Sequence, residues 1–163
     1  MVTAYVGLGS NLGERASLLR EAVEALDREV GRVVARSAVF ETAAVADEPQ
    51  PDYLNAAVRL ETQLGARALL ERCLAIETMM GRLRPVGRRK ASRTIDLDLL
   101  LHGNTVIDEP GLVVPHPRLL ARAFVRAPLA LVAEPGLRHP VSGELLDRFS
   151  VPPEVRLYSG VQL

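Results

Sequence analysis

Tryptophan is absent from the 163-residue sequence, cysteine occurs once, and lysine occurs once, as Lys90, against 19 arginines. Only six aromatic rings are present, three Tyr and three Phe. One cysteine excludes a disulfide framework and a zinc site built from thiolates. Cys73 sits among apolar neighbours at helical spacing and reads as a buried thiol of a reducing compartment. No apolar run approaches the roughly 20 residues of a membrane span, and the opening MVTAYVGLGS has no basic leader. The expected compartment is therefore the cytoplasm, with no membrane partner. An excess of charge is missing too, since 20 basic and 20 acidic residues cancel. With 48% hydrophobic and 25% charged residues, disorder, collagen and coiled coil are excluded.

What is present reads as one domain over residues 1–163, long enough to bury roughly 70% of its unfolded surface. Thr3–Leu8 predicts a strand, and the glycines from Gly7 to Gly13 a tight turn. Asn11 with Glu14 three residues on marks a helix start. Leu19, Ala22, Val23, Leu26 and Val30 then recur at helical spacing until Gly31. Val33–Thr42 predicts a second strand, and the proline-bearing 43–52 a loop. Tyr53–Gln63 alternates, with Leu54, Ala56, Val58 and Leu60 on one face and Tyr53, Asn55, Ala57, Arg59 and Glu61 on the other. Ala66–Met80 predicts a second helix, 81–93 a basic loop, and Thr94–His102 a fourth strand. Gly103-Asn104 turns into a short fifth strand at Thr105–Ile107. A third helix, interrupted by Pro128, is expected over Ala123–Ala133. The C-terminal part predicts a short helix at Glu144–Phe149 and a strand near Val155–Tyr158. The order is that of a split βαβ unit, βαββαβ. It predicts an α+β domain: an antiparallel sheet with helices packed on one face, the other face left for ligands, plus a C-terminal extension.

The strongest chemical signal is RTIDLD at residues 93–98. On a strand, residues two apart project to one face at a separation of about 6.6 Å. Asp96 and Asp98 therefore point together, with Ile95, Leu97, Leu99 and Leu101 toward the core. At that distance two carboxylates repel by about 2–3 kcal/mol at an effective dielectric of 20. A cation between them removes that penalty, and an all-oxygen pair suits Mg²⁺. Just before them, Arg82, Arg84, Arg88, Arg89, Lys90 and Arg93 fall within twelve residues that contain no acid. Guanidinium forks match phosphate oxygens. A basic loop feeding an acidic strand suits a metal–polyphosphate complex. Neither a P-loop nor a dinucleotide fingerprint is present: GLGSNLG at residues 7–13 lacks the Gly-Lys-Ser/Thr ending. Two other readings of the loop compete. A single-stranded RNA module is opposed by the acidic pair and the zero net charge, and no aromatic interrupts the loop to stack bases. A phosphohydrolase needs a water-positioning base near Asp96, and the nearest histidine, His102, is at the far end of the strand.

Four segments together resemble the 6-hydroxymethyl-7,8-dihydropterin pyrophosphokinase family: YVGLGSNL at 5–12, PDYLNAA at 51–57, RTIDLD at 93–98, and VPH at 114–116 followed by Arg122 and Phe124. The resemblance implies a ferredoxin-like domain. It implies transfer of pyrophosphate from ATP to the hydroxymethyl group of the pterin, in folate biosynthesis, with release of AMP. Two Mg²⁺ ions held by Asp96 and Asp98 are implied. Arg82 and Arg93 match phosphate-handling arginines, and Arg84 lies in the same loop. His116 and Arg122 match phosphate contacts on the far side. Glu77 matches a position near the nucleotide, and Leu99 one lining the adenine pocket. For the pterin, Tyr53 and Phe124 match the two sandwiching rings, Asn55 the amide that reads the ring edge, and Thr42 and Val45 backbone partners for the remaining edge. The expected partners are these small molecules, with no nucleic acid, and the expected state is a monomer. The family's basic loop often carries a Trp. Here Lys90 falls near that place, while Leu74, Gly111 and Val113 replace polar nucleotide contacts.

Overall fold

The computed structural model describes residues 1–11, 14–43, 52–81 and 95–163. In chain order the elements are β1 (Val2–Ser10), α1 (Arg15–Glu29), β2 (Arg32–Arg36), β3 (Val39–Thr42), β4 (Tyr53–Thr62), α2 (Ala66–Met79), β5 (Asp96–His102), β6 (Ile107–Glu109), β7 (Leu112–Val114), α3 (Ala123–Val132) and β8 (Arg156–Tyr158). The main sheet runs β5-β1-β4-β3-β8, with β2 also pairing β4, and every pairing is antiparallel. The split βαβ order read from the sequence is the one observed.

Period-2 alternation makes the sheet two-faced. Ala4, Val6 and Leu8 of β1, Leu54 to Leu60 at even positions of β4, and Ile95, Leu97 and Leu99 form one buried face. Leu19, Ala22, Val23 and Leu26 of α1, with Leu69, Cys73 and Ile76 of α2, cover it. These two helices share a face, as expected. Burial pushes the Cys73 thiol up to about 12, with Glu77 and Asp98 adding to the shift, so it is inert. Gly31, after α1, is required by close approach, because a Cβ there would overlap the Glu61 carbonyl.

The other face is half covered. Helix α3 lies on it, packing Val125, Leu129 and Val132 against Tyr5, Ala57 and Leu100. Two bonds pin its C-terminal end to the sheet. The Glu134 N–H donates to the Tyr5 hydroxyl at 3.0 Å, and Arg59 Nη1 donates to the Val132 carbonyl at 3.1 Å. Its N-terminal end therefore points along the sheet, toward the ends of β4 and β5 that carry Tyr53 and Asp96.

Several local expectations differ from what is observed. The helix start is at Arg15 with Glu14 as N-cap and no side-chain cap bond, so Asn11 and Glu14 form no capping box. The second strand breaks at Ser37, whose hydroxyl accepts the Ala57 N–H at 2.9 Å and donates to the Ala38 carbonyl at 2.7 Å. That side chain substitutes for one rung of the ladder. Gly7 and Gly9 lie within β1 rather than in a turn. Leu101 packs against the α3 side with Leu100, because the β1–β5 register slips between Tyr5 and Val6 and a bulge reverses the alternation. The fifth strand begins at Ile107 and pairs with β7 as a separate hairpin. Helix α3 runs through Pro128, which is buried. No helix forms over 144–149. The His139 N–H donates to the Glu144 carbonyl and the Leu146 N–H to the Leu137 carbonyl, both at 2.8 Å, making a stapled turn instead. Among the described residues no helix is long and apolar enough to cross a membrane.

Candidate active site

A cavity of about 970 Å³ opens on the part of the sheet that α3 leaves free. Its floor is set by strand register. In β1, Gly7 and Gly9 face the cavity. Gly9 pairs with Asp96 on one side and Asn55 on the other, and Gly7 with Asp98 and Ala57. Two residues without side chains thus separate the acidic pair from Asn55. A Cβ on Gly9 would already lie 3.6 Å from Asn55 Oδ1 and 4.0 Å from Tyr53 Cδ1. The floor is flat because those positions are empty.

Asp96 and Asp98 project from β5 onto this floor, as the spacing predicts, and both are half-buried. The strand between them is held from behind. Among the described residues β5 ends its sheet, and alternation along the strand turns the Leu97 N–H away from β1. The buried carboxylate of Glu77, from α2, accepts it at 2.8 Å.

The walls come from three other places. Tyr53 and Asn55 stand on β4, with Thr42 and Ala43 at the end of β3. The Asn55 Nδ2 donates to the Thr42 hydroxyl at 2.9 Å, which fixes the amide with Oδ1 toward Gly9. Opposite, the start of α3 contributes Arg122, Phe124 and Val125, with Arg118 and Ala121 just before it. The Arg122 guanidinium lies 5.5 Å from the centre of the Phe124 ring, within cation–π range. The third wall is Glu154, Val155 and Arg156 from the C-terminal part.

The structure brings together Thr42, Tyr53, Asn55, Asp96, Asp98, Arg122 and Phe124 around one cavity. It does not bring Glu77 or Leu99 to that surface: both are buried on the helix-covered side of β5. His116 lines a second cavity of about 300 Å³, with Val113, Leu120 and His139 among its walls. Burial lowers the His116 pKa, Asp98 opposes that shift, and Arg122 and Arg118 reinforce it. Val45, Arg82, Arg84 and Arg93 lie outside the described residues. Sequence reasoning passed over Gly7, Gly9, Arg118, Glu154, Val155 and Arg156. A signal existed for the two glycines, which continue the odd-numbered phase of Tyr5. For the C-terminal residues none existed, because their place depends on long-range pairing.

Fold and site define a class first: an α+β domain whose open sheet face carries an acidic pair, with Tyr53 and Phe124 lining the same cavity. The family model for 7,8-dihydro-6-hydroxymethylpterin-pyrophosphokinase (HPPK) matches residues 5–134. A protein of Methylorubrum extorquens named 2-amino-4-hydroxy-6-hydroxymethyldihydropteridine pyrophosphokinase is 46% identical over 134 residues, covering 82% of this chain and 84% of its own length. The Bacillus subtilis protein of the same name is 42% identical over 142 residues, covering 86% and 84%. A crystal structure of Plasmodium falciparum HPPK-DHPS superposes with a TM-score of 0.70 at 15% identity, over 90% of this chain and 42% of that one. That last likeness shows the fold. The chain belongs to the HPPK family.

Proposed function

We propose that this chain transfers the pyrophosphoryl unit of ATP to the hydroxymethyl oxygen of 6-hydroxymethyl-7,8-dihydropterin, giving the pterin diphosphate and AMP in folate synthesis. One observation carries the residue-level reading: Asp96, Asp98, Tyr53 and Phe124 line one cavity. A substrate held between Tyr53 and Phe124 can then present its hydroxymethyl group toward Asp96 and Asp98. In the displacement the hydroxymethyl oxygen forms a bond to the β-phosphorus. The bond from that phosphorus to the oxygen bridging to the α-phosphate breaks, AMP departs with that oxygen, and the hydroxyl proton is released.

The residues divide the work. Tyr53 and Phe124 stack the flat ring, worth roughly 1–3 kcal/mol per ring by analogy with nucleobases. Asn55 reads the ring edge with an amide already oriented by Thr42. Backbone groups at Thr42 and Val45 take the rest of that edge. Asp96 and Asp98 are hard oxygen donors on one strand face, a donor set that suits Mg²⁺, and the resemblance implies two such ions. Bound there, the metal supplies charge neutralisation and alignment of the phosphate oxygens. Arg122 and Arg118 line the same cavity, and in this reading they meet the phosphates together with Arg82, Arg84, Arg93 and His116. For Glu77 and Leu99 as neighbours of the nucleotide, the support is the resemblance alone. The working unit in this proposal is a single domain, 1–163, acting as a monomer in the cytoplasm on small molecules and not on nucleic acid.

The test mixes the protein with ATP, Mg²⁺ and 6-hydroxymethyl-7,8-dihydropterin and follows AMP. Turnover is expected, and Asp96→Ala or Asp98→Ala is expected to reduce it by about 10²-fold or more. Near wild-type AMP formation by either variant refutes the role of the acidic pair. No AMP from the wild-type protein refutes the activity.

A further inference from the structure

The family match ends at residue 134, but the cavity wall does not. Strand β8 pairs with the edge of β3, placing Val39 opposite Tyr158, Phe40 opposite Leu157 and Glu41 opposite Arg156. This pairing carries Glu154, Val155 and Arg156 to the cavity. Val155 is buried with Phe40 and Ala127, in a small cluster that also receives Phe124 and Phe149. The packing behind the Phe124 ring is thus partly supplied by the C-terminal segment.

Arg156 makes a second connection. Its Nη2 lies 3.1 Å from Asp52 Oδ2 and 3.6 Å from Glu41 Oε1. From the other side, Arg15 Nη1 bonds Glu41 Oε2 at 3.0 Å and the Asp52 carbonyl at 2.6 Å. The Arg15 guanidinium also sits 5.8 Å from the Tyr158 ring centre, over a residue of β8. Glu41 directly precedes Thr42, and Asp52 directly precedes Tyr53. Two arginines and two carboxylates therefore tie the end of β3 to the start of β4, beside the residues proposed to hold the ring. One exposed ion pair adds little, but a shared network of this kind restricts several backbone positions at once.

We infer that β8 is a working wall of the ring-binding half of the cavity, and that Arg156 is a positioning residue for it. Through Asp52 and Glu41, Arg156 sets the spacing of Tyr53 and Thr42, while Val155 backs the Phe124 ring. The inference rests on the pterin reading proposed above. It accounts for a wall that the 5–134 match does not include, and it assigns heterocycle affinity to the C-terminal strand.

The experiment compares Arg156→Ala, Arg156→Lys, Glu41→Gln and the double variant Arg156→Ala/Glu41→Gln with the intact chain. The pterin is titrated by fluorescence in the presence of a non-hydrolysable ATP analogue, the analogue is titrated separately, and Tm is recorded. Arg156→Ala is expected to weaken pterin binding about five- to tenfold and leave nucleotide affinity within about twofold. Arg156→Lys is expected to recover most of the loss. Adding Glu41→Gln is expected to cost little more, because the two residues act through one network. Unchanged pterin affinity in Arg156→Ala overturns the inference. So does an equal loss for both ligands, which marks a merely structural strand. Fully additive losses in the double variant also overturn it, since Arg156 then acts on the ligand without Glu41. Phe124→Ala serves as the reference. If it binds pterin normally, the cavity reading itself fails. If it binds weakly while Arg156→Ala binds normally, only the role of β8 fails.

Discussion

Replacing Glu77 by leucine isolates what holds the acidic strand in place. Leucine is close in size to glutamate but cannot accept the Leu97 N–H now bonded at 2.8 Å. Glu77 is 3% exposed, so water does not readily take over as acceptor. A buried amide left unpaired costs about 1–3 kcal/mol. For a chain of this length each kcal/mol moves Tm by about 2–4 °C, so a drop of roughly 2–12 °C is expected. Part of that loss is offset, because a buried carboxylate is itself costly to desolvate. Glu77→Gln separates the two effects, since the amide oxygen keeps the acceptor and removes the charge. Its loss of Tm is expected to be less than half that of Glu77→Leu. Calorimetry supplies both values, and amide hydrogen exchange at Leu97 reports the bond directly, with faster exchange expected in the leucine variant. A leucine variant with wild-type Tm and a protected Leu97 amide would falsify the reasoning. A glutamine variant as unstable as the leucine variant would show that the charge, not the acceptor, matters.

Two further outcomes follow from other parts of the molecule. His139 uses its unprotonated Nδ1 to accept the N–H groups of Val141 and Ser142 at 3.2 and 3.1 Å. Burial lowers its pKa, with Glu144 opposing the shift. The folded state therefore takes up this proton less readily than the unfolded chain, so Tm is expected to fall as pH drops below the ordinary histidine value of about 6.5. His139→Asn, whose Oδ1 can accept the same bonds, is expected to flatten that slope in a series of melts from pH 8 to 5; an unchanged slope counts against His139 as its source. On the cavity floor, Gly9→Ala places a methyl group at ordinary contact distance from Asn55. The fold is expected to survive, with Tm within about 2 °C, while a flat ligand loses its seat and binds about tenfold more weakly, or 1.4 kcal/mol. Normal pterin titration by Gly9→Ala would mean the ring does not rest on β1.

The legible parts of this protein are those whose signal is local. Alternation in Tyr53–Gln63 placed Tyr53 and Asn55 on one face, and the Asp-Leu-Asp spacing placed two carboxylates together. Both arrangements are observed, because a strand's period of two leaves no other choice. Helical spacing found the buried face of α1 through its own period of about 3.6 residues. Where a side chain or a bulge replaced regular geometry, local reading failed. Ser37 cut a strand in two by bonding within the ladder, and the slip in the β1–β5 register moved Leu101 to the opposite face. Residues 144–149 form no helix, since Leu145 bridges Arg138 and the backbone bonds of this stretch go to Leu137 and His139.

The sequence by itself determined the βαββαβ order of the central elements, the two faces of the sheet and the pairing of Asp96 with Asp98, since each depends on neighbours a few residues apart. Tertiary structure alone decided which distant residues share the cavity. Gly7 and Gly9 became its floor through the registers of β1 with β4 and β5. Phe124 reached it because Tyr5 and Arg59 anchor the far end of α3. Arg156 reached it because β8 returns to the edge of β3, more than a hundred residues away in the chain. Hydrogen bonding and packing between remote segments set those positions, and no periodicity encodes them.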